Sequence, residues 1–149
     1  MNTSSAAIGG SQLRTLLPMV GNVPAPDGVE AHPSVLRFVT TRANALIIGD
    51  DDPIIRVLNV VWPTLRKPIV HCAGRRLILP VDQEGTLVIG DAHQLVDRDQ
   101  HRLLEWWDAS ARKTRIIACA SPELFTFVED GAFSRCLFDR FKDVQLVLT

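Results

Sequence analysis

Residues 45–56, ALIIGDDDPIIR, decide the fold of this chain. Four apolar residues run into Gly49, then three carboxylates (Asp50, Asp51 and Asp52) precede Pro53. A short apolar run closed by turn residues reads as a buried strand at 45–49. Asp52 and Pro53 then open an apolar helix from Ile54 to Trp62, with Asp as the cap and Pro tolerated at the first helical position. A buried strand that feeds straight into a helix is the first half of a βαβ unit.

The alternation continues downstream. KPIVHC (67–72) reads as a second strand, RRLILP (75–80) as a short third one, and GTLVIGD (85–91) as another buried strand. From Asp97 a helix carries Leu103, Leu104 and Trp107 on one face. RIIACAS (115–121) is extended again, Pro122 starts a helix near Phe125 and Val128 that stops at Gly131, and SRCLFDRF adds one or two helical turns. DVQLVLT (143–149) is a last strand. Upstream, Ser34 caps a short helix with Val35, Leu36 and Val39. The expected fold is α/β: a parallel sheet with helices on both faces. Ligands of such folds sit at the carboxyl ends of the strands, which directs attention to 49–53, 90–94 and 120–123.

Composition narrows the class. A chain of 149 residues, 46% hydrophobic, makes one domain with a real core. No stretch approaches a membrane span and no secretory signal is visible, so a cytoplasmic location is expected. A formal net charge of −1 supplies no basic face, so direct DNA binding is not expected. Cys72, Cys119 and Cys136 are widely spaced and fit reduced thiols. Residues 1–34 hold eight of the eighteen Gly and Pro residues and only three charges (Arg14, Asp27 and Glu30), so they read as a flexible arm before a domain at 35–149.

A phosphate-binding loop needs glycines that let backbone N–H groups close on the phosphates, and a Lys for charge. Here Asp50, Asp51 and Asp52 stand where the glycines would be, and Pro53 removes a donor. Like charges ~4 Å apart repel by about 4 kcal/mol even at an effective dielectric near 20. Direct nucleotide binding is therefore not expected.

Taken together, residues 35–149 resemble a shortened central AAA+ ATPase domain of sigma-54-dependent transcription activators. ALIIGDDDPIIR stands at that family's LI-GE-G-GK strand and loop, and Pro68-Ile69-Val70-His71-Cys72-Ala73 resembles its P-F-x-x-x-N-C-A strand. Gly85-Thr86-Leu87-Val88-Ile89-Gly90-Asp91 resembles G-T-L-F-L-D-E, and Gln100 to Leu104 the leucine-rich helix after it. Arg115 to Ser121 resembles R-I-I-A-A-T-N, and Gly131 to Phe141 resembles G-x-F-R-x-D-L-x-x-R-L. The resemblance implies a P-loop NTPase-like core.

The departures imply loss of the family's chemistry. Ile55 takes the phosphate-loop Lys position, and Gly90 takes that of the magnesium-holding Asp, leaving Asp91 at the neighbouring Glu. Ala120 and Ser121 replace the polar pair that senses the terminal phosphate. Of two trans-acting arginines, Ser134 replaces one and Arg140 remains. The family's G-A-F-T-G-A loop has no room between Cys72 and Gly85, and the chain ends at Thr149 before a helical lid. The expectation is a pseudo-ATPase with no cofactor and no metal, acting in transcription control through a protein partner, either an activator or an AAA+ oligomer. A homo-oligomer is allowed, and a membrane partner is not expected.

A competing reading takes the same stretch as a response-regulator receiver. Asp50 and Asp51 would hold magnesium, Asp91 would accept phosphate, Ser121 would give the hydroxyl and Lys142 the lysine. Plainer roles stand beside both. The three aspartates can simply serve the helix end. His93 reads as a surface loop residue, and His71 and Cys72 point to opposite faces of a strand. Cys119 reads as inert core. Arg75-Arg76 and Arg112-Lys113-Arg115 read as solvated surface. Trp107 is expected to pack inward and Trp106 to fall off that face, as an interface candidate.

Overall fold

A computed structural model of the chain describes residues 38, 40–81, 84–110 and 114–148. The arm at 1–34, most of the helix expected around 35–39 and the pair Arg112-Lys113 lie outside the described residues; Phe38 and Thr40 are helical. In chain order the elements are β1 (Ala45–Ile48), α1 (Asp51–Val61), β2 (Ile69–Ala73), β3 (Gly85–Gly90), α2 (Asp97–Ser110), β4 (Thr114–Ala120), α3 (Glu123–Glu129), α4 (Arg135–Phe141) and β5 (Val144–Val147).

The five strands form one parallel sheet in the order β2-β3-β4-β1-β5. Side chains alternate across it, and both faces are covered, as a parallel sheet requires. Ala45, Ile47, Val88, Ile117 and Cys119 face α1, which buries Ile54, Ile55, Val57, Leu58 and Val61 against them. Leu46, Ile48, Leu87, Ile89, Ile116 and Ala118 face the other way, under Leu103 and Trp107 of α2, Leu124 of α3, and Leu137, Phe138 and Phe141 of α4. His71 and Cys72 do point apart: His71 meets the Trp62 ring, and Cys72 lies in the second core. Cys119 is fully buried, and burial pushes its thiol far up.

Several expectations are corrected. The stretch at 75–80 is no strand: Gly74–Arg76 is a turn of 3-10 helix, and the following residues pair with no strand. Their alternation is one of burial alone, with Leu77 inside and Ile78 out. Helix α1 starts at Asp51, three residues earlier than read, because Asp50 takes the N-cap position with an extended backbone. Asp50 makes no side-chain cap bond there. Pro53 is therefore the third helical residue rather than the first, within the first turn, where no intrahelical donor is lost. β5 ends at Val147 rather than Thr149.

The strand order also overturns the receiver reading. In that doubly wound arrangement β1 lies between β2 and β3. Here its neighbours are β4 and β5, and β4 lies between β1 and β3.

Among the described residues, no helix is long and apolar enough to cross a membrane.

Candidate functional site

β1 hands the chain to α1 on one face, and its neighbour β4 hands it to α3 and α4 on the other. In folds of this kind the ligand crevice is where such connections part, outside the carboxyl ends of the strands. Three segments meet there: Gly49–Asp52 after β1, Asp91–His93 after β3, and Ser121–Glu123 after β4. These are the windows that the alternation of strands and helices picks out.

The first segment is very short. Only Gly49 and Asp50 join β1 to α1. The Gly49 N–H continues the sheet, donating to Ala120 O at 3.0 Å, and a Cβ on Gly49 would crowd Leu148. Pro53 brings no N–H to the first turn. Ile55, at the position a phosphate-loop Lys would occupy, lies 5% exposed in the core under β1. Residues that a phosphate loop would leave extended and open are wound into α1.

The second segment carries the strain. Asp91 is left-handed, with φ 51° and ψ 46°, an uncommon conformation that Asp tolerates better than most residues. The adjoining turn is packed tightly, since a Cβ on Gly74 would strike the Asp91 carbonyl. Asp91 is 7% exposed, and its Oδ2 has no hydrogen-bond partner among the described residues. Burial pushes its carboxyl above the usual range, partly offset by the Arg75 charge. Asp51 is pushed up as well, by burial first and then by Asp91, Asp52 and Asp50, with His93 opposing.

His93 corrects its expected role, because it is buried rather than exposed. Its Nδ1 accepts the Ser121 N–H at 3.3 Å, and its ring lies 6.2 Å from that of Phe127. Accepting at Nδ1 fits a neutral imidazole. Burial holds its pKa below the ordinary 6.5, against the pull of Glu123 and Asp51. Ser121 Oγ lies 3.2 Å from Glu123 Oε1 and accepts the Glu123 N–H at 3.2 Å. The structure therefore brings Asp51, Asp91 and Ser121 together, and adds His93, Glu123 and Arg75. Among the described residues, no three His, Cys, Asp or Glu side chains are arranged to hold a metal ion.

The remaining candidates add no side chain to the crevice. Gly90 ends β3 within the sheet. Trp106 is half-buried, its Nε1–H donating to Pro80 O at 3.1 Å, so it anchors the segment after β2. Arg140 donates from Nη1 to Asp108 Oδ1 at 2.6 Å and lies over the Trp107 ring. Arg115 is no solvated surface residue. It is half-buried, donating from Nε to Ala43 O and from Nη2 to Phe38 O.

No protein-family model matches this chain, and no curated protein does. Solved structures do. NtrX from Brucella abortus in complex with ATP superposes with a TM-score of 0.59 at 14% identity, over 100% of this chain and 37% of that one. A second structure of NtrX from Brucella abortus gives 0.61 at 14% identity, over 95% and 41%. The P-loop NTPase domain of a sigma-54 activator from E. coli gives 0.53 at 15% identity, over 77% of this chain and 97% of that domain. The fold is that of a P-loop NTPase domain. Within it, magnesium and ATP are the groups the fold implies, and the residues at the strand ends do not fit them. A two-residue connection, a triple aspartate, Pro53 and a buried Ile55 leave a triphosphate no glycine loop, no lysine at the phosphate-loop position and one first-turn N–H fewer, with carboxylates where it would sit. The chain spans about two fifths of the NtrX chains it matches.

Proposed function

We propose that this P-loop NTPase-like domain is a non-catalytic regulatory module, related in fold to sigma-54 activator NTPase domains and working in transcription control through a protein partner. The observation that carries the reading is the direct passage from β1 into α1. Phosphoryl transfer rests on positioning and charge stabilisation. At this crevice Asp51 and Asp91, both disfavoured in their charged form by burial, stand among the groups in position, and no lysine does. The partner is an activator or an AAA+ oligomer, and Arg140 and Trp106 are the surface candidates for contact. Asp108 holds Arg140 on α4 against α2, so a partner carboxylate or phosphate would have to displace it.

Calorimetric titration of the full chain with ATP and magnesium tests the proposal. The expected result is no binding up to about 1 mM, equivalent to about −4.1 kcal/mol. Micromolar binding that Asp51→Lys alters, or measurable ATP turnover, would overturn it. For the contact surface, Arg140→Ala is expected to weaken capture by the partner activator, and an unchanged complex would remove Arg140 from it.

A further inference from the structure

At the opposite, amino-terminal edge of the sheet lies a cavity of about 1200 Å³. Its wall comes from the residues before β1, the first residues of β3 and β4, and Asp143 ahead of β5. Three guanidinium groups line it, those of Arg42, Arg66 and Arg115, against two carboxylates, Glu84 and Asp143. Arg66 and Glu84 pair with each other at 3.3 Å. Arg42 makes no ion pair among the described residues. Among the described lining residues, the guanidinium groups outnumber the carboxylates by one.

Arg115 is built in rather than draped over the surface. Its Nε donates to Ala43 O at 2.7 Å and its Nη2 to Phe38 O at 2.9 Å, and its guanidinium lies 4.3 Å from the Phe38 ring centroid. These partners are neutral, so they fix the group without balancing its charge. Burial disfavours the charged form of Arg115, and the neighbouring Arg42 adds repulsion. Two arginines lining one cavity, one of them held by two backbone carbonyls and a ring, suit a planar or tetrahedral oxyanion.

From this geometry we infer that the cavity at the amino-terminal edge of the sheet binds a small hydroxylated organic oxyanion, clamped between Arg42 and Arg115. Small-molecule sites span roughly 300–1,000 Å³, so this one holds more than a bare ion. Asp143 in the wall accepts hydrogen bonds from the ligand's hydroxyls, and the Trp107 indole borders its carbon skeleton. Phosphate and carboxylate share the required chemistry. This site stands apart from the crevice, and the inference does not depend on the proposed function.

Calorimetry and tryptophan fluorescence of the full chain, with ribose 5-phosphate, gluconate and uncharged ribose at matched ionic strength, test it. Binding of ribose 5-phosphate or gluconate with a dissociation constant below about 10 mM is expected, weakened at least about tenfold by Arg42→Gln. Arg42 is exposed, so this substitution leaves the core intact. The stronger of the two probes tells phosphate from carboxylate. Silence from both, equal binding of ribose, or binding that Arg42→Gln leaves unchanged would overturn the inference. Any ATP heat abolished by Arg42→Gln but not by Asp51→Lys belongs to this cavity.

Discussion

Asp51 stands at the first position of α1, where a carboxylate ordinarily gains from the helix dipole. Here that gain is opposed by burial and by three other carboxylates, so its pKa is raised in the folded state. The sign for stability follows directly. A carboxyl whose folded pKa lies above its unfolded value of 3.8 costs nothing below that value, and its cost is complete once pH exceeds the folded pKa. Asp51→Asn removes the charge and keeps the shape. It is expected to raise the melting temperature at pH 7 by roughly 1–3 °C, with the difference vanishing near pH 3. Thermal melts of both chains across this range check it; a lower melting temperature at pH 7 would show the dipole term winning. The acidic character of this corner is legible in the sequence, since Asp50–Asp52 are consecutive. The burial of His93 is not, because its partner Ser121 lies 28 residues away and meets it only when β3 and β4 end side by side.

At the scale of elements, periodicity found every strand of the sheet and nearly every helix start to within a few residues. It failed where alternation lacked a partner strand, at 75–80. There Leu77 and Leu79 turn inward and Cys72 Sγ meets Ile78 O at 3.8 Å, so the segment packs without joining a ladder. What no pattern reports is how α2 is fastened to the loop before α4. Gln100, 3% exposed, donates from Nε2 to Leu95 O at 2.9 Å and to Ala132 O at 3.1 Å, while its Oε1 accepts the Ser134 N–H at 2.8 Å. One amide thus serves two carbonyls and one N–H in the second core, and Ser134 in turn caps α4 by accepting the Leu137 N–H. Gln100→Leu keeps the volume and strands those groups. Each buried unsatisfied partner costs about 1–3 kcal/mol, so a loss of roughly 3 kcal/mol is expected. Urea unfolding should show a lower midpoint at an unchanged slope. A midpoint within error of the parent chain would mean that water replaces the amide.

For the whole molecule, the strand order β2-β3-β4-β1-β5 separates β1 from β3, which a linear pattern of strands and helices cannot reveal. In the sequence, the lack of a helical pattern at 73–83 and after the last strand counts against a receiver; the pairing of β1 with β4 decides between the two folds. Where the domain begins is likewise a question of packing. The change in composition near Pro33 is the sequence's sign of a boundary, and the described residues start with Phe38, fully buried against β1 and α1. The Phe38 ring carries the Arg115 guanidinium, and its carbonyl accepts from Arg115, tying this residue to β4. If residues 1–33 are an arm, removing them leaves this anchor in place. A chain beginning at Ser34 is expected to melt within roughly 2 °C of the full chain, whereas Phe38→Ala in the full chain costs roughly 3–5 kcal/mol. At about 2–4 °C per kcal/mol for a domain of this size, calorimetric scanning separates the two results cleanly. Should the trimmed chain fall as far as Phe38→Ala, the arm would belong to the domain, and its apolar stretch from Leu13 to Val20 would be the first place to look for the contact.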